Sequence, residues 1–450
     1  RLDASSVALS RASPEMKLVI TRTTASPRLG RARLVLLFLV AASAALCLRA
    51  ALSVLREPLP PRVKAHSDLF AHELLGGEKL RPLNATCECR RSDGHAEMMC
   101  YRLPADSAVV GRRFDCEHLK HLERLDLLDS RDRGIDYEML DFPVVAMAAS
   151  SNHFHELTRL IFHLKKRHNE LRLIIFDIGL NPEQQVAVST VCGVELRAFD
   201  FSLYPPHVKR LREFRWKPLI IAEVLRDYES MWYMDTSVVP GKGHINQVYD
   251  LIRCRDRFGA LPVQSPEARD AREQERPLER EKFDERVFSA NVRECRKFPY
   301  LLHGWTGHGI FSATAPGVYD FIPTNKTEIK KPKAKMYEAG LAYIVKTDDV
   351  THQVLKWYVL CALEEECMAA QFSKADDCSF GNDRFGEYAF CHRFDQSVLN
   401  LLLANANHYD RHFYSSEIVD FFHIQREVPL DEQYDLTALT CAQPMLVNLD

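Results

Sequence analysis

A basic excess is missing from this chain: 59 lysines and arginines stand against 62 aspartates and glutamates in 450 residues, a net charge of −3. A general nucleic-acid binder concentrates positive charge on one face, so this balance argues against that class. The GxxxxGK pattern of a phosphate loop is missing as well. So is the glycine-rich turn that follows a first nucleotide-binding strand, because Ala149-Ser-Ser-Asn152 stands in its place. That gap removes the methyltransferase reading of the acidic turn Phe176-Asp-Ile-Gly179. Cys87-Glu-Cys89 has neither a histidine pair nor a second CxxC at zinc spacing. No internal repeat is present, and one long apolar run interrupts an otherwise globular composition of 46% hydrophobic and 27% charged residues.

That run is informative. Residues 34–55 are mostly apolar and uncharged except for Arg49, about 22 residues and roughly a bilayer span. Lys17, Arg22, Arg28, Arg31 and Arg33 precede it, so the positive-inside rule puts the N-terminus in the cytosol and the bulk of the chain across the membrane. The expectation is a type II anchor; a cleaved signal peptide, with small residues at Ala41 to Ala45, is the other reading. Both export everything from about residue 60. Residues 1–15 precede the first methionine, Met16, and are set aside from fold reasoning as sequence that is either upstream of the start or structural.

Twelve of the thirteen cysteines lie beyond Cys47 in the exported part, an even number suited to an oxidising lumen and up to six disulfides. Asn84-Ala-Thr86 and Asn325-Lys-Thr327 are glycosylation sequons that agree with it. The expected organisation is a cytoplasmic tail over 1–33, an anchor over 34–55, and a stem over 56–140 stapled by Cys87, Cys89, Cys100 and Cys116. A catalytic domain over 141–425 and a tail over 426–450 complete it.

Periodicity orders the domain. Apolar runs predict strands over 142–149, 171–176 and 194–199, separated by helices over 156–167 and from Asn181-Pro182 onward. A proline-started helix over 218–228 leads into the strand Trp232-Tyr-Met that ends at Asp235. Strand and helix alternate, which predicts a parallel sheet. The densely charged stretch 267–286 predicts a solvated helix or loop without chemistry. Residues 301–311 predict a glycine-rich, aromatic loop near a ligand. Segments 336–345 and 350–363 predict a strand and a helix, and 395–403 a late helix.

Asp235 is the leading chemical candidate because α/β sheets place their chemistry at strand ends. A carboxylate there suits a divalent cation, which would neutralise the diphosphate of a nucleotide sugar.

Five segments carry a resemblance: Tyr204-Pro-Pro-His-Val208, Arg215-Trp-Lys-Pro218, Trp232-Tyr-Met-Asp-Thr-Ser237, Glu338-Ala-Gly-Leu341 and His392-Arg-Phe-Asp-Gln-Ser397. Their order resembles the GT-A fold nucleotide-sugar glycosyltransferases, specifically animal type II membrane proteins related to glycogenin-like transferases, over residues 142–425. The resemblance implies a Rossmann-related mixed α/β sheet flanked by helices, a retaining transfer, and residence in the Golgi or endoplasmic reticulum membrane. It puts Asp235 at the first position of a DxD motif, where Ser237 replaces the second acid. A hydroxyl is the weaker ligand, so the site binds Mn2+ or Mg2+ weakly, recruits a late histidine such as His423, or works without metal.

By the same resemblance Asp395 and Gln396 face the reacting sugars. Asp395 is equally well placed to favour a helix N-terminus. Lys217 and Arg393 would meet the diphosphate, while His308, Glu338 and Gly340 would lie by the acceptor. The implied partners are a nucleotide sugar and a glycan or glycoprotein acceptor, with no nucleic acid. The other class is a non-catalytic lumenal protein that binds carbohydrate or nucleotide sugar, which the serine at 237 allows.

Overall fold

The computed structural model describes residues 87–129, 143–241, 245–255, 283–370, 378–418, 422–426 and 434–441. The chain divides into Arg1–Leu83 and Asn84–Asp450, and every described residue belongs to the second unit. The expected anchor over 34–55, the sequon at Asn84 and most of the charged stretch 267–286 lie outside the described residues. Among those described, no helix is long and apolar enough to cross a membrane.

Four short strands open the fold: β1 (Glu88–Arg90), β2 (Ala96–Met98), β3 (Cys100–Leu103) and β4 (Asp106–Arg113). They pair as two antiparallel ribbons and lead into helix α1 (Leu119–Arg124). Disulfides Cys87–Cys100 and Cys89–Cys116 tie this segment, as the cysteine spacing predicted for a stapled module. It does not stand apart as a stem. Tyr101, Phe114, Leu119 and Leu122 join the main core, where Phe114 and Tyr101 meet the Trp357 ring.

The central sheet begins with β5 (Val144–Ala149), followed by helix α2 (Phe154–Arg167), β6 (Leu173–Asp177), helix α3 (Pro182–Ser189) and β7 (Val194–Ala198). Helix α3 starts where the Asn181-Pro182 pair predicted, and Asn181 and Gln184 form a reciprocal cap there. Helix α4 (Trp216–Asp227) then returns the chain to β8 (Ser230–Met234) on the far side of β5. The helix starts at Trp216, two residues before the expected start at Pro218, which sits in its first turn. Strands β5, β6, β7 and β8 are parallel. Their side chains alternate between two cores, Val145, Met147 and Ile175 against α2, and Ala146, Ile174 and Tyr233 against α4. A strand buried on both faces reads as an unbroken apolar run, which is why β5, β6 and β8 were legible.

Next come β9 (Val238–Pro240), α5 (Asn246–Arg253), α6 (Glu285–Glu294), β10 (Tyr300–Leu302), β11 (Trp305–Gly309), α7 (Val318–Phe321), β12 (Lys335–Tyr337) and β13 (Leu341–Val345). The sheet order is β10-β13-β8-β5-β6-β7, with β13 antiparallel to β8 and β10 antiparallel to β13. The sheet is therefore mixed. The stretch 301–311, expected as a loop, instead supplies β10 and β11, and β11 forms a ribbon with β12.

A π-helical turn over Val350–Leu355 runs into α8 (Lys356–Leu363) and α9 (Glu365–Met368). The fold closes with α10 (Asp395–Ala406) and β14 (Phe422–Ile424), which pairs with β9. Cys192–Cys441, Cys254–Cys295, Cys361–Cys367 and Cys378–Cys391 complete six disulfides, so all twelve cysteines beyond Cys47 are paired.

Candidate active site at the sheet switch point

After β5 the chain moves outward through β6 and β7, then returns to place β8 on the opposite side of β5. The carboxyl ends of β5 and β8 therefore form the switch point of the sheet, the place where α/β folds hold a ligand in a crevice. Asp235 follows β8 on this rim, and Ser150 to His153 follow β5.

Asp235 is held from three directions. Its backbone N–H donates to Gly340 O at 2.7 Å, the Tyr233 hydroxyl donates to Oδ1 at 2.9 Å, and Lys217 Nζ stands 3.1 Å from Oδ1 and 3.2 Å from Oδ2. Lys217 also reaches Asp395 Oδ2 at 2.7 Å, so one ammonium joins the end of a strand to the start of α10. The Lys217 and Asp395 side chains are 3% and 5% exposed, whereas Asp235 is 30% exposed. Solvent meets the triad through Asp235.

Burial works against the Lys217 ammonium, yet Asp235 and Asp395 more than offset it and hold its pKa above the ordinary lysine value. Burial also holds the Asp395 carboxyl above its usual range, because the attraction of Lys217 only partly compensates and Asp235 adds repulsion. Lys217 is an internal counter-ion. The expected point contact between Lys217 and a diphosphate gives way to this bridge, which saturates a buried ammonium.

Arg215, fully buried at the start of α4, donates to the carbonyls of Ala362 at 3.0 Å, Glu364 at 2.8 Å and Glu365 at 2.7 Å, where α8 ends and α9 begins. This fixes the turn from which Lys217 projects. Asp395 does not cap α10: the preceding residue is Phe394 at φ 43°, no side chain caps the helix, and the carboxylate turns to Lys217 instead. Gln396 donates to Met336 Sδ at 3.2 Å on the neighbouring β12. The Arg393 backbone N–H donates to Ser397 Oγ, and its side chain is partly exposed.

Gly340 is needed where it stands, since a Cβ there would lie 2.7 Å from Asp235 Oδ2. Glu338 lies beside it, with its backbone N–H on Gly304 O at 2.7 Å. Burial raises the Glu338 carboxyl above the usual range, opposed by Arg426 and reinforced by Asp235. The structure thus brings together Asp235, Lys217, Asp395, Glu338 and Gly340.

His308 and His423 are placed otherwise than expected. His308 is 3% exposed, with Nδ1 on Gly309 O and its ring against Phe380, and burial lowers its pKa to about 4. It is a core histidine and not one open to an acceptor. His423 is exposed on β14 opposite Val239, while Ser237 receives Gln425 N–H on its carbonyl. Among the described residues no three His, Cys, Asp or Glu side chains gather to hold a metal. The Asp235 oxygens are already engaged by Lys217 and Tyr233, so these residues do not fit a divalent cation in the way the DxD resemblance implied.

A second group was missed in the sequence. His153 Nδ1 lies 2.8 Å from Glu156 Oε2, and the Thr236 hydroxyl donates to the same oxygen at 2.9 Å, linking the loop after β5 to the residue after Asp235. The available signal was Glu156, the lone acid of α2. Sequence reasoning read that helix for its apolar face alone.

The matching family model is a protein family of unknown function, DUF1647, over residues 87–222. The match crosses the disulfide-tied segment and the first strands without a break. No curated protein matches. Among solved structures, the chain is similar to an apo structure of the bifunctional glycosyltransferase WbbM, at 11% identity and TM-score 0.30, covering 65% of this chain and 40% of that one. It is also similar to the galactosyltransferase LgtC in complex with donor and acceptor sugar analogs, at 13% identity and TM-score 0.24, covering 47% and 63%. An active-site mutant of LgtC overlays at 13% identity and TM-score 0.22, over 48% and 58%. The chain spans less than two thirds of each of these proteins, and so partial an overlay leaves function to the chemistry of the site itself.

Proposed function

We propose that this chain is a glycosyltransferase that moves a sugar from a nucleotide sugar to an acceptor hydroxyl in the secretory pathway. The observation that carries the reading is the Lys217 bridge: the two acids singled out by separate motifs, Asp235 and Asp395, meet on one ammonium at a sheet switch point. In the reaction the bond from the anomeric carbon to the diphosphate breaks, a bond to the acceptor oxygen forms, and the acceptor proton leaves with the phosphate or to a site carboxylate. Asp395 and Gln396 stand at the reaction centre, Asp235 and Arg393 on the donor side, and Glu338 and Gly340 on the acceptor side. A retaining course goes with the glycogenin-like resemblance. Residence in the Golgi or endoplasmic reticulum lumen, behind an anchor over 34–55, is supported by the pairing of all twelve cysteines beyond Cys47.

The full-length chain is tested against a panel of nucleotide sugars for donor hydrolysis, with and without Mn2+, beside Asp235→Ala. Hydrolysis of one donor, lost in the variant, supports the reading. Equal turnover by the variant removes Asp235 from the site, and donor binding without any turnover favours a non-catalytic binding protein.

A further inference from the structure

We infer that His153 is a cationic binding residue for the donor diphosphate, held in place by Glu156. This rests on the sugar-transfer reading, since it assigns a wall of the same crevice. The triad after β8 carries two carboxylates against one ammonium, and that ammonium is buried and already shared by both. A diphosphate entering the crevice therefore meets the exposed edge of Asp235, and its own charge has to be balanced by another group nearby. His153 stands beside Asp235, in the loop that leaves β5, the parallel neighbour of β8, and is joined through Glu156 to Thr236.

Its geometry is that of an oriented donor. Nδ1 is tied to Glu156 Oε2 at 2.8 Å, Glu156 is 10% exposed, and Thr236 holds the same oxygen. The two ring nitrogens lie on opposite edges of the imidazole, so fixing Nδ1 aims Nε2 away from the helix. The ring is 50% exposed, and Nε2 makes no hydrogen bond among the described residues. Two acids act on the ring, Glu156 by the hydrogen bond and Asp235 through space, and both favour the imidazolium. A donor N–H with positive charge, facing a crevice and fixed from behind, suits a phosphate oxygen.

The test is the affinity of the full-length chain for uridine and guanosine diphosphate by calorimetry, with and without Mn2+, at about pH 6 and about pH 8. His153→Gln keeps a polar side chain without the charge, and His153→Lys keeps a charge that does not titrate in this range. The expected result is binding about tenfold weaker in His153→Gln than in the parent at the lower pH, the size of one charge-assisted hydrogen bond. The gap should close at the higher pH, and His153→Lys should bind alike at both. If His153→Gln matches the parent at the lower pH, His153 takes no part in binding, and the transferase reading stands without it. If the parent binds neither diphosphate under any condition, the transferase reading falls, and this inference with it.

Discussion

Lys217 Nζ lies 2.7 Å from Asp395 Oδ2, although one residue opens α4 and the other opens α10. Neither helix start needs the other for local reasons. The contact exists because the sheet brings β8 and the α10 terminus to the same rim, where a buried carboxylate requires a cation. Replacing Lys217 by methionine leaves Asp395 buried beside Asp235 without its counter-ion. Chemical denaturation should show a loss of about 3 kcal/mol or more. The double variant with Asp395→Asn should recover a substantial part of that loss. A single variant as stable as the parent would refute the bridge.

Gly340→Ala is a sharper probe of the site itself. The added methyl would sit 2.7 Å from Asp235 Oδ2, and the neighbour able to yield is that carboxylate, because the Asp235 backbone is fixed to Gly340 O. Thermal stability should change by only a few degrees, about 1 kcal/mol. Donor hydrolysis should fall at least about tenfold, the effect of a small misplacement of a reacting group. Unchanged hydrolysis would separate Asp235 from the reaction.

Gly111→Ala tests how the cysteine-rich segment is joined to the rest. A Cβ at 111 would lie 2.1 Å from Phe321 O, a backbone atom that cannot swing aside. We expect a loss of about 3 kcal/mol, at the upper end for overpacking, and a single cooperative unfolding transition. Separate transitions for residues before and after 141 would restore the independent stem.

Acid should act through Glu417. Its carboxylate lies 3.2 Å from Lys297 Nζ, 3.4 Å from Arg411 Nη1 and 2.5 Å from His412 Nδ1. Burial alone would raise its pKa, but Lys297 and the other cations overcome this and hold it well below 4.5. A carboxyl lowered in the folded state contributes stability that is present above its unfolded pKa and lost as pH falls through the folded one. Glu417→Gln should therefore be less stable than the parent at neutral pH, by about 3 kcal/mol. The difference should shrink on acidification below about pH 4.5, in a series of urea titrations. A constant difference across the series would contradict the assignment.

The legible parts were those where local pattern and burial coincide. Strands β5, β6 and β8 are buried on both faces and read as apolar runs, and the start of α3 is written in Asn181-Pro182. Strand β11 is short, glycine-bearing and partly open, so its sequence looks like a loop until it pairs with β12. Asp395 shows the same limit at the site. Its place at a helix start fits a capping role equally well, and only the position of Lys217 decides between the two.

The alternation of strands and helices from β5 to β8, the even number of cysteines beyond Cys47 and the candidacy of Asp235 followed from the sequence alone, because periodicity, count and strand-end position are local properties. Tertiary structure decided which strands run antiparallel in the sheet, that His308 is a core residue, that Lys217 serves two acids, and that His153, Glu156 and Thr236 meet. These depend on which strand ends become neighbours. A switch in strand order sets that, and no local pattern encodes it.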